Sequence, residues 1–209
     1  MNFIFPKNNC QLCSRLKEFR DSNKSINKDW FNKPVPSFGS ENAKILIVGL
    51  APGLKGANRT GRPFTGDYAG NILYESLIKN NLAKGYFNKD GFDNLKLNNC
   101  RITNSVRCVP PQNKPNSYEI KKCNFFLKNE INNLNKLKII LTLGRIAHIS
   151  VIQSLNLKNS KYIFKHGKIH RINGYTIINS YHCSQYNIFT KRLTPKEFDK
   201  IIKLVKNYL

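Results

Sequence analysis

The chain has 209 residues, of which 40% are hydrophobic, and this length and composition predict a single domain, residues 1–209, with a core of its own. It carries 35 Lys and Arg against 12 Asp and Glu, a formal charge of +23, which favours nucleic acid as a polyanionic partner over a simple bias in composition. The sequence has no signal-peptide h-region, no membrane-spanning apolar run and no basic helix with a broad apolar face, so we expect a soluble intracellular protein that does not bind membranes.

Strand-like and helix-like segments alternate along the chain. Apolar runs predict strands at residues 44–50, 101–106, 138–143 and 175–180. Amphipathic patterns and capping signals predict helices at residues 11–21, 70–81, 117–134, 146–155 and 195–208. Residues 21–41 and 84–99 are expected to be irregular. The alternation is typical of an α/β fold with a mostly parallel sheet, in which the loops after the strands meet at one edge.

The loop after the first predicted strand is rich in glycine and proline, and in α/β proteins this position commonly holds the active site. It contains side chains that a base-binding pocket would need, namely Asn58, Arg59, Thr60, Phe64 and Asp67. It lacks the Gly-Lys-Ser/Thr ending of a phosphate loop and the G-x-G-x-x-G pattern of a dinucleotide site. A plain turn is the alternative interpretation of the glycines and prolines.

Four of the six cysteines indicate a metal site. Cys10 and Cys13 form a C-x-x-C at the start of the first predicted helix, and Cys108 and Cys123 lie far along the chain. In an intracellular protein such cysteines are more often ligands or buried thiols than disulfides. Because there is no second C-x-x-C, an iron–sulfur cluster is favoured over zinc, and four unrelated cysteines are the alternative.

Three segments resemble motifs of the uracil-DNA glycosylase superfamily, in particular its iron–sulfur family 5, also called type b. The first motif of that family is similar to residues 49–70, GLAPGLKGANRTGRPFTGDYAG. Its central segment is similar to residues 102–115, ITNSVRCVPPQNKP, and its second motif to residues 180–194, SYHCSQYNIFTKRLT. Together with the C-x-x-C, these segments occur in the family's order and span nearly the whole chain.

The resemblance implies a three-layer α/β/α sandwich with a four-stranded parallel sheet. It also implies a 4Fe-4S cluster bound by Cys10, Cys13, Cys108 and Cys123, and excision of uracil and related deaminated bases from DNA. The chain departs from related motifs at two positions. Ala51 stands where families 1 and 4 have a polar residue in or near the motif, which favours family 5, and Cys183 replaces the proline of the usual His-Pro-Ser.

The motif residues suggest how a flipped base would be held and released. Phe64 would stack on the base, and the amide of Asn104 would pair with N3 and O4 of uracil. His182 would donate a hydrogen bond to O2 as the base departs, and Asp67 would orient a water molecule at C1′ of the sugar. Ala51 is grouped with the base-binding residues, and the backbone around it is the alternative to Asp67. The alternative roles are a core phenylalanine, a loop-capping asparagine, a structural histidine and a turn aspartate.

DNA is the expected partner. Four side chains are predicted to contact phosphates: Asn58, Arg59, Lys191 and Arg192. The segment from Ser184 to Phe189 would wedge into the gap that the flipped base leaves. No lysine is singled out as a Schiff-base nucleophile, so monofunctional hydrolysis is expected. A non-catalytic nucleic-acid-binding protein that retains the fold and cluster is the alternative function.

Overall fold

The computed structural model of the protein describes residues 2–209. Its strands are β1 (Phe38–Gly39), β2 (Ile45–Gly49), β3 (Ala83–Lys84), β4 (Lys96–Leu97), β5 (Cys100–Asn104), β6 (Ile139–Leu143), β7 (Ile169–Ile172) and β8 (Tyr175–Ser180). Its α-helices are α1 (Ser14–Ile26), α2 (Ala57–Thr60), α3 (Tyr68–Lys79), α4 (Ser117–Asn133), α5 (Arg145–Ser154), α6 (Gln185–Phe189) and α7 (Pro195–Asn207). Short 3-10 turns occupy Pro111–Asn113 and Asn159–Lys161.

The main sheet has the strand order β1-β5-β2-β6-β8-β7. Its four inner strands, β5, β2, β6 and β8, are parallel and correspond to the four predicted strands. Strands β1 and β7 add antiparallel edges that the sequence did not predict, and β3 pairs with β4 in a small separate sheet. The four-stranded parallel sheet is therefore the centre of a six-stranded mixed sheet.

Alternating side chains of β2 divide the core into two layers. Ile45 and Ile47 pack with apolar residues of α3 and α7 on one face of the sheet. Leu46 and Val48 pack with residues of α4 and α5 on the other face. This alternation, which follows from the strand period of two, confirms the α/β class and the three layers.

Helix caps account for the accuracy of some predicted boundaries. Thr194 and Glu197 form a capping box before α7, and Asn116 does the same with Glu119 before α4. Helix α1 instead begins at Ser14, after both cysteines of the C-x-x-C, and continues to Ile26, beyond its predicted end. Among residues 2–209, no helix is long and apolar enough to cross a membrane.

A buried ion-pair network fixes α4 against β5. The carboxylate of Glu130 accepts hydrogen bonds from Arg101 Nε at 2.6 Å, Thr103 Oγ1 at 2.9 Å and Arg107 Nη2 at 2.5 Å. The side chains of all three charged residues are at most 5% exposed. Burial opposes ionisation of Glu130, but the charges of Arg107 and Arg101 outweigh it and lower its pKa. The network thus holds the end of β5 and the loop that follows it.

We expect Glu130→Gln to lower the free energy of unfolding by about 3–5 kcal/mol, because it leaves two buried guanidinium groups without a counter-charge. Urea denaturation measures the change. Asp21→Asn is the matched control, since it removes an exposed partner of Lys17 and should cost less than about 1 kcal/mol. Equal losses in the two variants would contradict a special role for Glu130.

Candidate active site

A pocket of about 750 Å³ opens where the inner strands end. Its walls come from the first-motif loop (residues 50–67), the end of β5, the residues after β8 and the start of α6. Six residues that the sequence predicted for the site line it: Ala51, Phe64, Asp67, Asn104, His182 and Ser184. Parallel strands bring these distant positions together because their carboxyl ends share one edge of the sheet.

Asp67 is held at the pocket wall by the helix that follows it. It is the N-cap of α3, and its Oδ1 accepts a hydrogen bond from the backbone N–H of Gly70 at 2.9 Å. The residue is exposed at the pocket, and partial desolvation of its carboxylate raises its pKa despite backbone hydrogen bonds from Gly70 and Ala69 that oppose the shift. The side chain therefore combines a structural cap with a carboxylate that faces the pocket.

Phe64 adopts a left-handed backbone conformation, with φ of 57°, that is uncommon for an aromatic residue. Its ring is 7% exposed and packs with the core, and it also lies 5.7 Å from the ring of His182 at an interplanar angle of 22°. The lack of a side chain at Gly49 permits this placement, because a Cβ there would lie 2.8 Å from Cζ of Phe64 and would also meet the amide oxygen of Asn104. Phe64 is therefore a core residue that also forms part of the pocket wall, and its stacking on the base stays a prediction.

Asn104 ends β5 with its side chain at the pocket. The residue is 4% exposed, and its amide makes no hydrogen bond to another part of the chain within residues 2–209. It is therefore suited to pair with a polar ligand in the pocket.

His182 is an uncharged group at neutral pH. Burial lowers its pKa to about 4, and its Nδ1 is buried without a hydrogen-bond partner in the described part of the chain. Asn187 Nδ2 donates to the carbonyl of His182 at 2.8 Å, and Cys183 Sγ, fully buried, donates to the carbonyl of Ala69 at 3.5 Å. These contacts anchor the loop in place of the usual proline, and the Cys183 contact ties it to the start of α3.

The four predicted metal ligands surround one enclosed cavity beside the pocket. Cys10 and Cys13 come from the segment before α1, Cys108 from the loop after β5, and Cys123 from α4. Ala51 packs against this cluster while it also lines the larger pocket. Among residues 2–209, no three His, Cys, Asp or Glu side chains are grouped closely enough to hold a single metal ion.

Two donors point at the sulfur atoms of this cavity. Nη1 of Arg20, a residue only 3% exposed, donates to Cys108 Sγ at 2.8 Å, and the backbone N–H of Arg107 donates to Cys123 Sγ at 3.3 Å. Burial raises the pKa of Cys13 to about 11 and that of Cys123 to about 12, so the free thiols are protonated at neutral pH. Binding of a metal centre by these sulfur atoms would release the thiol protons.

A family model described as "Uracil DNA glycosylase superfamily" matches residues 36–206. The chain belongs to this superfamily. It is 36% identical over 210 residues to a type-5 uracil-DNA glycosylase of Thermus thermophilus, covering 98% of this chain and 95% of that protein. It is 37% identical to a type-5 uracil-DNA glycosylase of Mycobacterium leprae, with 94% and 90% covered, and 30% identical to a type-4 uracil-DNA glycosylase of Saccharolobus solfataricus, with 92% and 80% covered. The resemblance carried by the three motifs is confirmed.

One predicted DNA contact of this glycosylase-family chain is wrong. Asn58 is fully buried, and its Nδ2 donates to Asn32 Oδ1 at 2.9 Å, so its side chain cannot reach a phosphate. Arg59 is partly exposed but paired with Asp90 at 2.8 Å. Lys191 and Arg192 are exposed, and the guanidinium of Arg192 lies 4.6 Å from the ring centre of Tyr181.

The pocket of this superfamily member also includes residues that sequence analysis missed. Asn113 lies in the loop after Cys108 in a left-handed conformation, with φ of 56°, and its exposed side chain reaches the pocket. Tyr68 lines the same opening and was also missed. Gln185, Tyr186 and Asn187 line it too, and they belong to the segment 184–189 that was predicted to enter the base stack. All five fall within or next to the quoted motifs, but the spacing gave no sign of which way their side chains face.

We expect one of the four histidines to titrate with a midpoint near pH 4 and not near its ordinary pKa of 6.5, because burial disfavours the protonated form of His182. NMR of the imidazole nitrogens over a pH series measures this midpoint, and the His182→Asn variant identifies the resonance. A His182 midpoint at pH 6 or above would contradict the neutral, buried imidazole.

Proposed function

We propose that this protein is a monofunctional uracil-DNA glycosylase, which hydrolyses the N-glycosidic bond of uracil, and of related deaminated bases, in DNA and leaves an abasic site. The single observation that carries the proposal is the convergence of Phe64, Asp67, Asn104 and His182 on one pocket at the end of the parallel strands. Membership of the superfamily and the names of the type-5 relatives support the same activity.

The base is recognised by stacking and by one amide. Extruding a nucleotide costs a few kcal/mol, which contacts in the pocket must recover. Phe64 offers a ring at the pocket wall, and Asn104 offers an amide whose donor and acceptor are not used within the described chain. The amide donates to O4 of uracil and accepts from N3–H. Cytosine presents the opposite pattern at these two positions, so the same amide contributes to selection.

Bond cleavage leaves negative charge on the base and positive charge on the sugar. His182 meets the first charge as a neutral hydrogen-bond donor to O2, since its lowered pKa keeps a full positive charge out of the pocket. Asp67 meets the second charge as a carboxylate, and it orients the attacking water. Burial raises the pKa of Asp67, and protonation of this carboxylate at acid pH would remove the charge that the reaction needs. The backbone around Ala51 is the alternative site for the water.

The rim of the pocket suits a nucleic-acid partner. Tyr186 and Phe189 on α6 are 72% and 66% exposed, and Lys191 and Arg192 follow them directly. Apolar side chains at this position fill the gap in the base stack, and the cations neutralise phosphates. With the net charge of +23, this rim supports DNA as the partner, and Ser184 and Arg59 remain predicted contacts.

We infer a 4Fe-4S cluster on Cys10, Cys13, Cys108 and Cys123. The donor set is soft, the four thiols surround one cavity without converging on one point, and Arg20 faces Cys108 with a positive charge. In a cluster each thiolate binds a different iron, whereas one zinc ion draws four sulfurs to about 3.8 Å of each other, given Zn–S bonds of about 2.3 Å. When bound, the cluster supplies a cross-link between the segment before α1, the loop after β5 and α4.

Asp67→Asn and His182→Asn are expected to slow single-turnover cleavage of uracil-containing DNA by ~100-fold or more, because each group meets charge that exists only in the transition state. Asparagine is chosen at position 67 because it caps a helix as well as aspartate does, so α3 keeps its start and only the charge is lost. Alkaline strand cleavage of the abasic product measures the rate, and DNA affinity should change little.

Glu75→Gln is the matched control for the loss of charge, since Glu75 lies on α3 with its side chain exposed. It should cleave at the wild-type rate. Wild-type cleavage by Asp67→Asn would instead favour the backbone around Ala51. DNA binding with no cleavage of any deaminated base by the unmodified protein would favour the non-catalytic alternative.

Anaerobically purified protein is expected to be brown, with broad visible absorbance from sulfide-to-iron charge transfer. Cys108→Ser should bleach this colour and lower thermal stability, because ligand binding is coupled to folding. Cys100→Ser is the control, as Cys100 is buried in the core away from the cavity. Stoichiometric zinc in a colourless preparation of full activity would overturn the assignment.

A further inference from the structure

An ion pair joins residues 85–95, the segment between β3 and β4, to the first-motif loop. Arg62 donates to Asp93 through both terminal nitrogens, at 2.8 Å from Nη1 to Oδ1 and 2.6 Å from Nη2 to Oδ2. The side chain of Asp93 is fully buried and that of Arg62 is 13% exposed. A bidentate pair of this kind fixes the direction of the guanidinium as well as its position.

Both partners of the ion pair are held by further contacts. Asp93 also accepts from the backbone N–H groups of Asn88 at 2.8 Å and Leu95 at 3.1 Å. The Arg62 guanidinium lies 5.1, 5.5 and 5.6 Å from three ring centres, those of Phe38, Tyr74 and Phe87. Hydrogen bonds from Arg62 and the two backbone groups lower the pKa of Asp93 to about 2, although burial opposes the shift, so the pair stays ionised at neutral pH.

Two hydrogen bonds restrain the backbone on both sides of Phe64. Tyr74 Oη donates to the carbonyl of Pro63 at 2.7 Å, and Thr65 Oγ1 donates to the carbonyl of Arg62 at 2.6 Å. A left-handed aromatic residue persists only where its surroundings determine it. Arg62 lies two residues before Phe64. It forms the ion pair with Asp93, its guanidinium contacts the three rings, and its carbonyl accepts the hydrogen bond from Thr65.

We propose that the Arg62–Asp93 ion pair positions Phe64 for stacking on the flipped base, so that residues 85–95 act on base recognition without contacting DNA or base. Arg62 and Asp93 are positioning residues that act through Phe64. The proposal rests on the stacking role given to Phe64 above. It assigns a function to a segment outside the pocket, whose lining residues include neither Arg62 nor Asp93.

The test is a double-mutant cycle in single-turnover cleavage of uracil-containing DNA, with Arg62→Lys, Phe64→Ala and the combined variant. Lysine keeps the positive charge but lacks the planar guanidinium that forms the bidentate pair with Asp93. Arg62→Lys should therefore loosen the backbone at Phe64. We expect Arg62→Lys to lower kcat/KM by about 10-fold or more, as misplaced binding groups do. In the Phe64→Ala background the same change should have no further effect, since Phe64 is the group through which it acts. Affinity for abasic-site DNA, which has no base to stack, should not change.

Arg171→Lys is the matched control, because it makes the same change at an exposed residue of the edge strand β7. It should behave as wild type. Tyr74→Phe removes only the hydroxyl that holds Pro63, and it is the second variant if Arg62→Lys does not fold; it too should lose activity only when Phe64 is present.

Losses that multiply in the combined variant would overturn the proposal, because they would show that Arg62 acts independently of Phe64. A large loss in Phe64→Ala with none in Arg62→Lys or Tyr74→Phe would overturn it while leaving the stacking role of Phe64 intact. Full activity in Phe64→Ala would overturn both.

Discussion

The carboxylate of Glu130 holds the strand end that carries Asn104, the residue proposed to select the base. Its partners Arg101, Thr103 and Arg107 lie on both sides of Asn104, so one buried charge on α4 determines where β5 ends. The next residue after Arg107 is Cys108, and Cys123 lies two turns before Glu130 on α4. Base pocket and cysteine cavity are consequently built from the same strand end and the same helix. Removing the charge of Glu130 should therefore affect both the base pocket and the cysteine cavity, although Glu130 lines neither of them.

Charge is distributed unevenly in the pocket. The protein is strongly basic, yet the groups proposed to face the flipped base are a neutral imidazole, an uncharged amide and one carboxylate. A fixed positive charge beside the base would stabilise the anion but would also repel the developing cation on the sugar. In the proposed mechanism the neutral donor at His182 avoids this conflict. Lys55 is a cation among the residues that line the pocket, whereas Lys191 and Arg192 lie outside that lining.

The sequence predicted the four parallel strands because each contains β-branched residues, with short apolar runs that are clearest in β2 and β6. It missed β1 because two residues carry no periodicity, and β7 because His170 and Arg171 interrupt its apolar pattern. Such edge strands are recognised from the neighbour they pair with, which sequence patterns do not show.

The lining of the pocket was predicted from motifs more completely than its rim. Phe64, Asp67, Asn104 and His182 line the pocket as expected. Asn58 was misplaced because a polar residue in a glycine-rich loop was taken to face solvent, whereas Asn32, from a segment predicted to be irregular, covers it. Asn113 was missed because its direction depends on a left-handed turn after two prolines. The cap formed by Asp67 is a local contact with Gly70, whereas the ring of Phe64 at positive φ depends on contacts distant in sequence.

Ala51 forms a wall shared by two compartments. Its methyl group faces the base pocket on one side and the residues around Cys108 and Cys123 on the other. A larger side chain would displace either the base or the cysteine cavity, and a close-packed interior offers little room to absorb it. The size of residue 51 is thus limited from both directions. A larger residue at this position would therefore need compensating changes in the lining of the pocket or of the cysteine cavity.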